Sequence, residues 1–275
     1  MVVKIVLTLL LGVGILFANP KSVDYHIIAL LGVQDYKINQ KFIQRLFKNQ
    51  SEFMDGDGNP NVYKISQVLK QNGLLKLVFA SPMELEISFE IAGNPMAFTS
   101  ALYDILGTMG YYYFLVKQSA LDDKSYKFIL SMDTEYAIDP VLLQERLREY
   151  GYMALKIEKQ SLGQWVYEIK EEKFQYPKAV LLNPNEKREQ ANLSGEYWYR
   201  VSQANTLGIA SSNGILWYPK IVFFDSSLRV LEIFSQEVKA VQEIKIKIPK
   251  DTAFIKISDI YLPLTIKNGL VVELN

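Results

Sequence analysis

The sequence contains no cysteine and a single histidine, His26, among its 275 residues. Without thiols the protein forms no disulfide, uses no thiolate nucleophile and offers no cysteine ligands for zinc or iron–sulfur clusters. One histidine also excludes a histidine-rich metal site, and no Gly-x-Ser-x-Gly motif, the nucleophile motif of α/β-hydrolases, accompanies it. We therefore interpret His26 as a strand residue near the surface, and we expect an apolar core to stabilise the fold.

The chain also lacks an excess of positive or negative charge. The chain carries 30 basic and 30 acidic residues, so its formal net charge is zero, which gives no electrostatic basis for nucleic-acid binding. Apolar residues make up 49% of the chain, and this share excludes a disordered protein.

The N-terminal apolar run is too short to span a membrane comfortably. "MVVK" is followed by the apolar run "IVLTLLLGVGILF" of 13 residues and then by "ANP", whereas a spanning helix needs about 20 residues. This pattern predicts a signal peptide over residues 1–18, cleaved after Ala18, with an uncleaved membrane anchor as the alternative. We therefore expect a periplasmic or secreted protein with no transmembrane span after cleavage.

A sequence pattern that ends in glycine occurs three times, at Gly73, Gly110 and Gly151, and the successive glycines are 37 and 41 residues apart. A leucine lies four residues before each glycine, and a branched aliphatic residue lies eight before. This spacing predicts three amphipathic helices, each terminated by its glycine. The aliphatic positions are Leu69, Leu106 and Leu147, preceded by Ile65, Leu102 and Leu143.

Each predicted helix is followed by two strands. The second strands alternate apolar and polar residues, most plainly in "MELEISFEI", as expected of a sheet with helices on one face only. The pattern predicts an α+β domain of helix–strand–strand repeats over residues 22–172. Within it, residues 83–160 follow the strand–helix–strand–strand–helix–strand order of ferredoxin-like folds.

The two central repeats, "SALYDILGTMGYYYFLV" and "PVLLQERLREYGYMALKI", share the form "A..L...L...GY". In this respect residues 83–160 resemble SPOR domains, the peptidoglycan-binding modules of bacterial envelopes. Secretin-type and ring-forming envelope domains have similar helix–strand–strand elements. These resemblances imply a role in binding peptidoglycan or in an envelope assembly.

The composition changes near residue 173. Residues 173–190 contain prolines and clustered charges and are predicted to form a linker with a first strand. Residues 191–275 contain short strand candidates about 8 to 14 residues apart, separated by Gly, Asn, Ser or Pro. This spacing predicts an antiparallel β-sandwich or jelly roll. The candidates are "EYWYRV", "TLGIAS", "ILWYPKIVFFD", "RVLEIFS", "EIKIKIP", "AFIKIS" and "GLVVELN".

Residues 190–260 resemble the pre-peptidase C-terminal type of jelly-roll module in the segments "GEYWYRV", "PKIVFFDSSLRVLEIF" and "IKIKIPKDTAFIKIS". That resemblance implies a binding or spacing module, in some cases with calcium, and no catalysis. The layout of the whole chain resembles that of secreted proteins of epsilonproteobacteria linked to flagellar motility.

Two groups of residues are candidates for ligand sites. The segment "MDGDGNPNVYKIS" matches a degenerate calcium loop, but Pro60 replaces the usual glycine and Ser66 the usual bidentate Glu, so the predicted binding is weak. A turn without an ion is the alternative. The second group comprises aromatic residues suited to a glycan or protein surface, although "YWY" places Trp198 and its neighbours on opposite faces. The candidate ligands are Asp55, Asp57, Asn59 and Asn61 for metal, and Tyr197, Trp198, Tyr199, Trp217 and Tyr218 for a glycan or protein.

Taken together, these patterns predict an exported, non-enzymatic binding or scaffolding protein of the cell envelope. The expected partner is peptidoglycan or an envelope machine such as the flagellar motor or a secretion system. No cofactor is expected apart from weak calcium. The alternative is a hydrolase of cell-wall glycan, for which adjacent carboxylates are the candidates and solvated surface charge is the simpler interpretation: Asp122 with Asp123, and Glu171 with Glu172.

Overall fold

The computed structural model describes residues 19–122, 125–202 and 204–275, and the chain divides into two compact units between Lys173 and Phe174. Helices and strands are both present, as an α+β fold requires. Within these described ranges, every helix is too short or too polar to cross a membrane. The predicted signal peptide, residues 1–18, lies outside the described residues.

The described residues of the first unit form five α-helices, and each of the three repeat helices begins at a side-chain cap. Asn61, Asn94 and Asp139 accept backbone N–H bonds at these starts, and proline occupies the first turn of two of them. The helices are α1 (Val23–Leu31), α2 (Val33–Leu46), α3 (Val62–Gln71), α4 (Pro95–Thr108) and α5 (Pro140–Glu149), with a 3₁₀ turn at Gln50–Phe53.

The three predicted glycine-terminated helices are confirmed as α3, α4 and α5. Gly73, Gly110 and Gly151 adopt φ values of 70°, 90° and 83°, the left-handed region in which a side chain is strained. After the first two helices, the residue following the glycine donates its N–H to a carbonyl of the last turn, which closes the helix end. The aliphatic stripe Leu69, Leu106 and Leu147 is fully buried.

His26 lies in α1, so its interpretation as a strand residue near the surface was wrong. Ser22 accepts the N–H of Tyr25 and caps the helix, and Asp24 lies in the first turn. These N-terminal signals start a helix even though the segment is almost continuously apolar, a pattern that fits a buried strand equally well. The helix buries the imidazole.

The first unit contains a five-stranded sheet in the order β2-β3-β1-β5-β4. One face packs against the helices, and in β1 it carries the predicted alternating residues Leu85, Ile87, Phe89 and Ile91, all buried. The other face carries ion pairs, such as Lys127 with Glu90. The strands are β1 (Val78–Ala92), β2 (Leu115–Leu121), β3 (Tyr126–Tyr136), β4 (Tyr152–Lys159) and β5 (Gln164–Glu171).

The sheet departs from the prediction in two ways: α3 is followed by the single strand β1 where two strands were predicted, and the strand order is not ferredoxin-like. The ferredoxin-like order places the strand after α5 next to β1, but here β5 lies beside β1, runs parallel to it, and leaves β4 at the edge. Gly163 allows this approach, because a Cβ at this position would lie 2.5 Å from the carbonyl oxygen of Glu84. Trp165 and Tyr167 of β5 are then buried on the helix-covered face, which favours the inner position.

The second unit consists of two sheets that share one hydrophobic core. Their strand orders are β11-β10-β13-β8-β6 and β12-β9-β14-β7. All seven predicted strand segments form strands, and the segment predicted as a linker with a first strand contributes β6 and β7. The strands are β6 (Val180–Leu182), β7 (Lys187–Gln190), β8 (Tyr197–Val201), β9 (Thr206–Ser211), β10 (Pro219–Phe224), β11 (Val230–Ser235), β12 (Glu243–Lys247), β13 (Phe254–Asp259) and β14 (Leu270–Leu274).

Candidate functional site

A cleft of about 660 Å³ opens in the first unit between the start of α1, the loop before α3, the end of α5 and strands β4 and β5. We call it the His26 cleft. It brings together side chains that are far apart in the sequence, including part of the predicted calcium loop. The polar side chains that define it are His26, Asp55, Asp57, Arg148, Lys156 and Lys170.

The His26 side chain is only 5% exposed, and its two ring nitrogens differ. Nε2 lies 3.1 Å from the carbonyl oxygen of Pro20. Because a carbonyl oxygen only accepts, Nε2 carries the proton and Nδ1 is an unprotonated acceptor. Nδ1 is buried and has no hydrogen-bond partner among the described residues. Burial, opposed by the bond to Pro20 and assisted by the charge of Lys156, lowers the pKa of His26, so the ring is neutral at pH 7.

Lys156 of β4 supplies a fixed positive charge beside this histidine. Its Nζ lies 2.7 Å from Oε2 of Glu158 and 3.5 Å from Oε1 of Glu168, and 5.5 Å from the centre of the Tyr25 ring. Burial disfavours the ammonium form, but the hydrogen bonds to Glu158 and Tyr25 outweigh it and raise the pKa of Lys156. The ammonium therefore stays charged and covers one face of the Tyr25 ring.

The predicted calcium loop forms the hydrogen bonds of a turn. Oδ1 of Asp55 accepts the backbone N–H groups of Asp57 and Asn59 at 2.9 and 2.8 Å. Oδ1 of Asn61 accepts the N–H of Lys64 and caps α3. In the part of the chain that the structure describes, no group of three or more His, Asp or Glu side chains is placed to hold a metal. All four candidate residues, Asp55, Asp57, Asn59 and Asn61, line the His26 cleft.

Calcium is expected to leave the thermal midpoint of unfolding unchanged. The oxygens of Asp55 and Asn61 already accept backbone hydrogen bonds, and Ser66, at the position of the usual bidentate Glu, is buried in α3 and donates to the carbonyl of Val62. Melts followed by circular dichroism in about 1 mM calcium and in chelator test this, with magnesium as the control. A midpoint that rises with calcium concentration, and not with magnesium, would contradict it.

The structure separates the five predicted aromatic residues into two groups. Tyr197, Tyr199 and Trp217 are buried in the core of the second unit. Trp198 lies on the opposite face of β8, half-buried, with its ring 4.7 Å from Tyr176. The second half-buried ring, Tyr218, meets the exposed Tyr261 edge-on at 4.9 Å between ring centres. Only Trp198 and Tyr218 of the five are therefore available to a ligand.

Two of the four carboxylates considered for hydrolysis accept hydrogen bonds from backbone N–H groups. Oε2 of Glu171 accepts the N–H of Asn94 at 2.9 Å, at the start of α4. Oδ1 of Asp122, which follows β2, accepts the N–H of Ser125, which precedes β3, at 2.7 Å. Glu172 is exposed and lines the His26 cleft, whereas Asp123 lies outside the described residues.

A second surface, which we call the β2 edge, consists of residues 112–121. Among the described residues, β2 pairs only with β3, and all seven of its residues are exposed. At the opposite edge of the sheet, α1 packs against β4. Before β2, Tyr112 and Tyr113 are 73% and 92% exposed, and Leu115 within it is 72% exposed. The sequence predicted a strand here, but its apolar composition gave no sign that the strand is exposed.

Comparison with known proteins gives distant similarities only. No protein-family model and no curated protein matches the chain. Among solved structures, a pre-peptidase C-terminal domain of a collagenase from Bacillus anthracis is 9% identical, with a TM-score of 0.25, over 35% of this chain and 94% of that domain. Accessory secretory protein 1, 2 and 3 of Streptococcus pneumoniae is 16% identical, with a TM-score of 0.19, over 28% of this chain and 56% of that one.

Proposed function

We propose that this chain is an exported, non-enzymatic binding or scaffolding protein of the cell envelope. The signal-peptide pattern of residues 1–18 supports export. The observation that carries the binding role is the β2 edge, where a strand with one edge unpaired among the described residues presents large apolar side chains to solvent. Surfaces of this kind pair with an added strand from another polypeptide.

The β2 edge is open along part of its length. Lys117 binds Glu84 and Glu86 on the polar face of the sheet, and a bulge lies between Val116 and Gln118. A charge and a bulge are the devices by which natural edge strands avoid indiscriminate pairing. Residues 118–121 carry no charge, so a specific partner strand can add along them while the exposed Tyr112 and Tyr113 contact its side chains.

A strand edge recognises the backbone of an extended polypeptide, so the partner we propose is another envelope protein, such as a component of a secretion or motility machine. Peptidoglycan is the other partner that the SPOR-like pattern of residues 83–160 implies. Its contacts would be Trp198 and Tyr218, the two candidate rings that are half-buried instead of buried. The two partners therefore depend on different residues, and substitution separates them.

Substitution of the β2 edge is expected to abolish partner binding. A Tyr113→Ser, Leu115→Lys double variant removes apolar contact area and adds a charge where a partner strand would pack. Co-purification from the native envelope should recover the partner with wild type and at least about tenfold less with the variant. The matched control is Ile233→Lys, which adds the same charge to an exposed strand of the second unit. Equal recovery with all three proteins would exclude the β2 edge.

Two further measurements address the other functions. Sedimentation with purified peptidoglycan tests the glycan partner. If wild type is retained and a Trp198→Ser variant is not, the binding surface is the aromatic surface and not the β2 edge. Zymography on cell-wall glycan tests the hydrolase. A cleared band that depends on Glu171 or Glu172 would contradict a non-enzymatic role.

A further inference from the structure

We propose that the His26 cleft binds a short peptide-like ligand with a free amino group and a free carboxylate. This site is separate from the β2 edge, because its wall is β4, the strand at the other end of the sheet order. The proposal goes beyond the envelope role and does not depend on it. Three properties of the cleft carry it: an unsatisfied acceptor, charges of both signs without ion-pair partners, and tyrosine rings that each have one face covered by a cation.

The first property is the unsatisfied Nδ1 of His26. A buried acceptor without a partner is costly in a folded protein, so it marks a position where a donor is missing. The ring is held in one tautomer, because Nε2 donates to Pro20. A ligand that satisfies Nδ1 must therefore bring an N–H or O–H group. Peptide amides and amino groups supply such donors, and an ionised carboxylate does not.

The second property is the presence of charges without ion-pair partners. In the described chain, Lys21, Arg148 and Lys170 line the cleft with no carboxylate at ion-pair distance. The same is true of Asp57 and Glu172 at the same cleft. A purely anionic ligand would be repelled by the carboxylates, and a purely cationic one by the lysines and the arginine. A zwitterion satisfies both sets.

The third property disfavours sugar stacking. Two tyrosines line the cleft, but each has a ring face covered by a cation. The guanidinium of Arg148 lies 4.2 Å from the centre of the Tyr63 ring, and Lys156 covers Tyr25. A pyranose needs a free aromatic face to stack on. The volume of about 660 Å³ lies within the range of small-ligand pockets, so it suits a peptide of a few residues.

Trialanine with free termini is the probe, and isothermal titration calorimetry on the full chain is the measurement. Wild type is expected to bind it, and trialanine that is acetylated and amidated at its ends is expected not to bind. His26→Phe, which keeps a ring of similar shape and removes the acceptor, should weaken binding at least about tenfold. Arg148→Ala should weaken it as well. Because Arg148 is exposed, this variant tests the site even if His26→Phe fails to fold.

The controls separate this site from the β2 edge. Lys245→Ala, on an exposed position of β12, and the Tyr113→Ser, Leu115→Lys double variant should both bind trialanine like wild type. The proposal is overturned if trialanine does not bind at about millimolar concentration. It is also overturned if His26→Phe and Arg148→Ala both bind as wild type, or if an N-acetylglucosamine oligomer binds in place of the peptide. None of these outcomes affects the envelope-partner test, which uses different variants.

Discussion

Replacing Gly195 with alanine will prevent the second unit from folding. Gly195 adopts φ of 69°, and a Cβ built there would lie 1.7 Å from the carbonyl oxygen of Pro263 and 2.9 Å from the backbone nitrogen of Leu264. These are backbone atoms, so no rotamer change relieves the overlap. The expected loss of folding free energy exceeds about 5 kcal/mol, which is comparable to the whole stability of an ordinary domain.

The two turns that meet at Gly195 cannot move apart easily. The N–H of Asn192 donates to the carbonyl of Lys267 at 3.1 Å, and the hydroxyl of Tyr197 donates to the carbonyl of Ile266 at 2.5 Å. Tyr197 is itself part of the buried core. Separating the turns to admit a methyl group would break both bonds and open the core, so the overlap is not relieved by a small local shift.

Gly214→Ala is the matched control for this substitution. Gly214 has a similar φ of 64°, but the nearest atom to a Cβ is the side-chain nitrogen of Gln242 at 3.6 Å. Only the backbone strain of about 1–2 kcal/mol applies there. Urea unfolding, with the fluorescence of Trp198 and Trp217 as the signal, compares the two variants. If Gly195→Ala were as stable as Gly214→Ala, the close contact with Pro263 would be incorrect.

Local signals in the sequence were sufficient to predict most of the individual helices and strands. Caps, first-turn prolines and terminal glycines fix α3, α4 and α5, because each acts within a few residues of the helix end. The strands of the second unit were equally predictable from alternation and turn residues. What the sequence did not reveal was the position of β5. That position depends on Gly163 meeting the backbone of Glu84, a contact between residues distant in the sequence.

The candidate sites also divide into features that local sequence predicts and features that depend on contacts between distant residues. The alternation in "YWY" correctly placed Trp198 opposite Tyr197 and Tyr199, because strand geometry alone decides it. The His26 cleft was not predictable, since His26, Asp57 and Lys156 meet only through the packing of α1 and the loop before α3 near β4. The exposure of Tyr112 and Tyr113 was also missed, because apolar residues are usually buried and strand order decides which strand is at the edge.

Leu106→Ala and Leu147→Ala are each expected to destabilise the first unit by about 2–5 kcal/mol, since both side chains are fully buried. They occupy equivalent positions, four residues before the terminal glycine of successive repeats. Their alanine variants lose the same methyl groups and leave cavities on the same helix-covered face of the sheet. If the repeats share one core, the two losses should be of similar size.

Urea unfolding followed by the fluorescence of the buried Trp165 measures both losses in the first unit. Leu115→Ala, which truncates an exposed leucine of the β2 edge, is the control and should change stability by no more than about 0.5 kcal/mol. A small effect of Leu106→Ala or Leu147→Ala would mean that its helix does not pack on the sheet. The common core would then not extend across the repeats, because a buried leucine cannot be truncated without losing both its transfer free energy and its packing contacts.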